Sequence, residues 1–432
     1  MEYQSINYFI LPHQSNIYGL SCLQTEGNTK VLIATVERQI FCMEYQKGLK
    51  PSFKEVQFTY IPNGADIISI DSFKRSKNSH DYVIGITFVK PRVTSAGPES
   101  STEISEKYYF NIYASWPPLS EFNIDFIAQG CLTLEIDFVP YHLYHTHILT
   151  TNSNKEYIWL LSGSDSYIHC FRENKERQCF SEEPTNIYFP EFSNIFGIIL
   201  WMDVFYIHEN NENNPQRFTA LGYETGLLKV SLTQYNVSTD SWEVLSCWTA
   251  DFDCPIAYVK FFHDRNSDDF RNIENINLLI VNSLETSVVF RDVKNTHLNN
   301  MYKLPESKRV DCSVTGCVGD LDLDGMNEIA IGTFGHELIS YKFDKGENKY
   351  KLMWIQMFSR PLQSLAYIDI TGDGLKELLV LTNKGLHVLQ HNLNESHLLL
   401  RKRINRLQSV IKNEDDGNKE TILQKLKDHF KR

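Results

Sequence analysis

The stretch Gly319–Thr333, GDLDLDGMNEIAIGT, decides how the rest of the chain is read. Asp320, Asp322 and Asp324 alternate with Leu321 and Leu323, Gly325 follows, and Glu328 leads into the apolar run Ile329–Ile331. Carboxylates at every second position, a glycine and then a β-branched run describe an oxygen-rich turn feeding a strand. The layout returns 49 residues later in DITGDGLKELLVLT, where Asp369, Thr371, Asp373, Gly374 and Glu377 precede Leu378–Leu381. The chain is therefore built on a repeated unit of about 50 residues.

Working outward, the strand pair that begins at Ile329 is an apolar run, a short polar turn and a second apolar run. The same pattern starts near Val31, Tyr82, Tyr157, Phe218, Asn277 and Leu378, which makes seven copies. One further strand-like run precedes each, as in NIYGLSCL from Asn16 and LQSLAYIDI from Leu362, and another follows most, as in WEVLSCWTAD from Trp242. The outer strands of the third and fifth units are the least distinct, with ERQCF from Glu176 the candidate for the third. Short β-branched and aromatic runs, four to a unit and seven units, predict an all-β chain folded as a seven-bladed β-propeller over residues 1–394. The seventh unit lacks a fourth strand, and the N-terminal run Asn7–Leu11 is expected to supply it and close the ring. The polar mixture from Lys90 to Lys107 reads as an exposed insertion.

From Glu395 the pattern becomes helical. Leu400, Ile404, Leu407 and Ile411 form one apolar stripe, with Arg401, Lys402, Arg403 and Arg406 on the other faces, and a second run carries Ile422, Leu426 and Phe430. Residues 395–432 are thus expected to be a C-terminal helical extension. Its stripe is a candidate for packing on the propeller, for binding a partner or, third, for lying on a membrane surface.

Composition bounds the function. At 432 residues and 42% hydrophobic the chain can bury a large core, and a formal net charge of -12 argues against non-specific binding to nucleic acid or anionic membrane. Nine cysteines without a CxxC pair predict free thiols and a cytoplasmic setting. No secretory leader or apolar run of transmembrane length is evident, so the NxS/T triplets at Asn236 and Asn394 are read as chance matches. The sequence lacks the nucleophile elbow, P-loop, dinucleotide fingerprint and HExxH helix, and a non-enzyme is expected.

The Asp-rich turns carry the one chemical signal. In the first, Asp320, Asp322, Asp324, Glu328 and the carbonyl of Met326 can surround a hard cation such as calcium, with water completing the shell. The twelfth position is Ile331 and a strand follows, so this is no EF-hand. The second offers Asp369, Thr371, Asp373, the carbonyl of Leu375 and Glu377, one carboxylate fewer, and is expected to bind more weakly. The alternative is an Asx-type turn whose carboxylates accept backbone N–H groups with no metal. His142, His145 and His147 are read as ordinary strand histidines, because on a strand only two of them share a face.

These two turns look like the FG-GAP repeats of integrin α-subunit propellers. Over almost its whole length, roughly Ser15–Leu393, the chain resembles the kaptin family, on QSNIYGL, EVQFTYIP, ISIDSF, VIGITFVK, FNIDFIAQGCLTLEIDF and the two Asp-rich segments. The resemblance implies a non-catalytic subunit of the KICSTOR complex. In that complex it would sit with a large scaffold subunit and an FG-GAP-repeat propeller partner, holding the Rag-directed GTPase-activating GATOR complex at lysosomes so that nutrient shortage silences the TOR kinase complex. It also implies, as an alternative, association with F-actin in cytoskeletal structures.

Overall fold

A computed structural model describes residues 3–25, 29–46, 49–75, 81–93, 104–115, 122–149, 155–207, 215–236, 238–239, 241–264, 275–307, 311–392, 394–399, 401–402 and 405. Among these residues, twenty-eight strands form seven four-stranded sheets. The fold is a seven-bladed β-propeller. Blades 1 to 6 each use four consecutive strands, and blade 7 combines Leu362–Ile368, Glu377–Thr382 and Gly385–His391 with the N-terminal strand Tyr3–Ile10 on its outer side. The first strands of neighbouring blades touch round the ring, Leu362–Ile368 of blade 7 returning to Ser15–Gln24 of blade 1.

The second strand of each blade explains why the repeat stands out in the sequence. Thr29–Thr35, Ile276–Asn282, Glu328–Thr333 and Glu377–Thr382 are buried at every position. A strand covered on both faces by neighbouring blades reads as a continuous apolar run rather than an alternating one. The cores lie accordingly between blades: Phe73, Val83 and Phe110 of blade 2 pack with Trp159 and Leu161 of blade 3. Ile370, Leu379 and Leu381 of blade 7 pack with Val31 and Ile33 of blade 1. Outer strands are half in water, as Ser241–Asp251 shows by alternating exposed and partly buried residues.

The outer strand of blade 3 is Cys179–Glu183, shifted towards the C-terminus from the expected ERQCF, and that of blade 5 is only Met301–Lys303. Three residues are too few to display a periodicity. The segment read as an insertion from Lys90 is partly strand, since the hairpin continues with Lys90 opposite Lys107 as far as Val93 opposite Ile104. Long cross-strand pairing overrides the local Pro and polar content there.

Two compact units are distinguished, Asn7–Val388 and a unit made of Met1–Ile6 with Leu389–Arg432. Within the larger, the Leu11 N–H donates to the Lys384 carbonyl at 3.0 Å and the Tyr8 ring lies 4.3 Å from that of His387. Within the smaller, the Tyr3 hydroxyl and His391 Nε2 are 3.1 Å apart, and residues 394–399 are helical. Leu400, Ile404, Leu407 and Ile411 lie outside the described residues, as do Arg403 and Arg406.

Candidate functional site

The first Asp-rich turn connects the first strand of blade 6, Ser313–Gly319, to the second, Glu328–Thr333. Each of its four carboxylates divides its oxygens. Asp320 Oδ2 accepts the Gly325 N–H at 2.9 Å, Asp322 Oδ1 that of Asp324 at 3.1 Å, and Asp324 Oδ1 that of Met326 at 2.8 Å. Glu328 Oε2 accepts the Leu321 N–H at 2.8 Å. Gly325, at φ +95°, supplies the left-handed residue that lets the chain reverse around these bonds. One oxygen of each carboxylate thus shapes the turn and the other faces inward. The four side chains offer ligand atoms all within 4.8 Å of one another, and among the described residues no other histidine, cysteine or carboxylate group converges in this way.

A cation from the same blade already stands among them. Lys342, on the third strand Glu337–Asp344, bonds Asp322 Oδ2 and Asp324 Oδ2 and sits 3.1 Å from Glu328 Oε1. The fourth inward oxygen, Asp320 Oδ1, is buried and makes no hydrogen bond. Burial, with Asp322 beside it, pushes the Glu328 carboxyl up to about 7. Burial also raises Asp320, whereas Lys342 overcomes the burial of Asp324 and holds it below its usual value. Four inward oxygens suit a hard cation in kind. With the ammonium in place, two of them are hydrogen-bonded to it, and Glu328 Oε1, which has no hydrogen bond, lies within ion-pair range of it.

The second turn, between Leu362–Ile368 and Glu377–Thr382, uses its oxygens differently. Asp369 accepts the N–H groups of Gly372 at 2.7 Å and Gly374 at 2.9 Å, so neither oxygen is left over. Asp373 accepts from Leu375 at 2.8 Å, and Glu377 from the Ile370 N–H at 2.9 Å and the Thr371 hydroxyl at 3.1 Å. Of the side-chain groups expected to hold an ion here, Asp373 Oδ2 alone has no bond to the turn. Glu377, fully buried, is pushed up to about 7 by burial.

Both turns are tied to other blades. Tyr367 of blade 7 donates its hydroxyl to the Asp320 carbonyl at 2.6 Å, and Asn327 donates to the His263 carbonyl of blade 5 at 2.6 Å. The Tyr367 ring passes where a Cβ on Gly319 would fall 2.1 Å away, so glycine is what admits it. Thr29 of blade 1 donates to the Asp369 carbonyl at 2.7 Å, which does for blades 7 and 1 what Tyr367 does for 6 and 7.

The inner strands carry a second polar network that sequence reasoning missed. Asp71 of blade 2 pairs with His145 of blade 3 at 2.7 Å and accepts from Trp159 at 3.3 Å. Asp203 of blade 4, nearly inaccessible, accepts from Lys260 and the Phe261 N–H of blade 5, each at 2.8 Å, and from Tyr144 of blade 3 at 3.2 Å. An Asp inside an apolar strand, as in ISIDSF and LWMDVF, is the available signal, because such a carboxylate needs partners. The three histidines go to separate surroundings. Burial depresses His142 to about 3, and its ring stacks on Trp201 at 4.3 Å. His145 is raised, the nearby Asp71 outweighing burial, and His147 stacks on Tyr206. All nine cysteines are free, and burial pushes Cys22, Cys42, Cys170 and Cys317 up to about 12, far from the thiolate form. Among the described residues no helix is long and apolar enough to cross a membrane.

Comparison with known proteins fits this architecture. A crystal structure of BBS1N in complex with ARL6DN, soaked with mercury, superposes with a TM-score of 0.51 over 90% of this chain and 98% of that one at 10% identity. Its lead-soaked counterpart gives a TM-score of 0.50 over 90% and 97% at 8% identity. At such identities the likeness is one of fold alone. A mouse protein described as KICSTOR complex protein kaptin is 36% identical over 400 residues, 90% of this chain and 88% of its own length. The family model described as KPTN, KICSTOR complex protein kaptin, matches residues 3–401, and the chain therefore belongs to the kaptin family.

Proposed function

We propose that the chain is a non-catalytic scaffold subunit of a KICSTOR-type complex. In this reading it helps tether the Rag-directed GTPase-activating GATOR complex at lysosomes and so mediates nutrient-dependent inhibition of TOR complex signalling. The observation that supports it is the 36% identity to mouse KICSTOR complex protein kaptin across 90% of the chain. The physical rationale is preorganisation. A ring whose blades are bonded to one another at the turns and along the inner strands presents its loops in fixed positions, which limits the ordering cost of association. The large scaffold subunit and the FG-GAP-repeat propeller partner are the proposed direct neighbours, with GATOR reached through them.

Residues 395–432 are proposed to carry part of the contact, through Leu400, Ile404, Leu407 and Ile411. Affinity purification of the full chain beside a truncation ending at Asn394 tests both statements. The reading expects the large scaffold subunit with the full chain and less of it with the truncation. Equal recovery would remove the helical segment from the interface. Absence of the scaffold subunit from both, with direct co-sedimentation of the pure chain on F-actin, would replace the scaffold reading by a cytoskeletal one.

A further inference from the structure

We propose that the blade-6 turn is closed by an internal cation: the Lys342 ammonium takes the carboxylate oxygens that a divalent ion would need, so the intact turn works without metal. Asp320, Asp322, Asp324 and Glu328 each spend one oxygen on a backbone N–H of the turn. Of the four that remain, three meet Lys342: Asp322 Oδ2, Asp324 Oδ2 and Glu328 Oε1. An ammonium has three N–H donors and no acceptor; this one bonds Asp322 and Asp324 and pairs by charge with Glu328 Oε1. A calcium ion needs six to eight oxygens at 2.3 to 2.6 Å, and it cannot share those three with an ammonium of like charge.

Lys342 is also held in place. It extends from a strand whose first five residues, Glu337–Tyr341, are buried, and its own side chain is 30% exposed. In the second turn Asp369 and Glu377 instead accept from backbone N–H groups of the turn and from Thr371. The two turns thus solve one problem, the repulsion of clustered carboxylates, by two means: a lysine in blade 6, and backbone and hydroxyl donors in blade 7.

The test uses the full chain, calcium chloride as the probe, and two readouts, calorimetric titration and thermal unfolding in calcium or in EDTA. Wild type is expected to show no saturable binding and the same Tm in both buffers. Lys342→Met, which keeps the length of the side chain and removes the charge, is expected to unfold at lower temperature in EDTA, to bind one calcium ion and to recover stability with it. Adding Asp324→Ala to Lys342→Met should abolish that binding, and Lys342→Arg should stay insensitive to calcium. Saturable binding by wild type that Asp324→Ala removes would overturn the proposal, since the lysine would then yield to the ion. Should Lys342→Met not fold, the wild-type and Lys342→Arg titrations still decide it.

Discussion

The hydroxyl of Tyr18, on the first strand of blade 1, donates to the carbonyl of Leu200, on the first strand of blade 4, at 2.6 Å. Blades 1 and 4 lie far apart round a seven-bladed ring, so this bond spans its middle. The Tyr18 ring also stacks at 5.5 Å on His142 of blade 3 and at 5.7 Å on Trp201 of blade 4. Tyr18→Phe keeps the stacking and loses the bond, and should cost about 1 kcal/mol. Tyr18→Ala loses both and should cost about 3 kcal/mol or more. Urea unfolding midpoints measure the difference, and equal midpoints for wild type and Tyr18→Ala would show that the strut carries no stability.

The pH dependence of stability should report His142. Burial lowers its folded pKa to about 3 from an ordinary 6.5, with Asp71 pulling it up and Lys260 down. A base whose folded value is depressed contributes stability that is present above the unfolded pKa and lost as pH falls through the window from 6.5 to 3. Within that window the slope is roughly 1.4 kcal/mol per pH unit. His142→Gln, whose amide oxygen can still accept the Met202 N–H, should lose that share of the acid sensitivity. Parallel stability-pH curves for the two proteins would contradict the assignment.

Arg217 and Glu191 form an ion pair at 2.8 Å with no exposure of either side chain, and the guanidinium lies between the rings of Phe189 and Trp242. Removing one partner leaves a buried charge alone. Glu191→Gln or Arg217→Met should therefore cost about 3 to 5 kcal/mol, and the double variant less than the sum. Additive costs in the double-mutant cycle would mean that the pair is not coupled.

Ring closure is tested at the N-terminus. Tyr3–Ile10 covers the outer side of Gly385–His391, and Asn7 donates to the Tyr45 hydroxyl of blade 1 at 2.6 Å. Removing residues 1–12 exposes a row of unpaired backbone groups on blade 7. The truncated protein is expected to elute as aggregate in size-exclusion chromatography, and a monomeric, equally stable product would argue against closure by this strand.

How far the sequence reaches can be judged from particular residues. The buried second strands announce themselves as LLIV, IAI and LLVL, which is why the blades can be counted from the order of residues alone. Met301–Lys303 leaves no such trace, because a three-residue outer strand is set by pairing with Val288–Phe290 rather than by its own pattern. The Asp-rich turns are legible as turns from Gly325 and Gly374, but their inner cation is not. Lys342 stands in ELISYKF like any solvent-facing strand lysine, and only the return of that strand beside Glu328–Thr333 brings it over the carboxylates. Asp71 and Asp203, each inside an apolar strand, signal that a partner is needed but not which one, since their partners lie on other blades, far away in the chain.

The proposed role of the ring as a partner-binding scaffold is tested most directly by mixing the purified chain with the purified large KICSTOR scaffold subunit and following both through size-exclusion chromatography. A scaffold subunit should co-elute with it in one earlier peak at fixed stoichiometry. Separate elution of the two, with the chain sedimenting on pure F-actin instead, would contradict it.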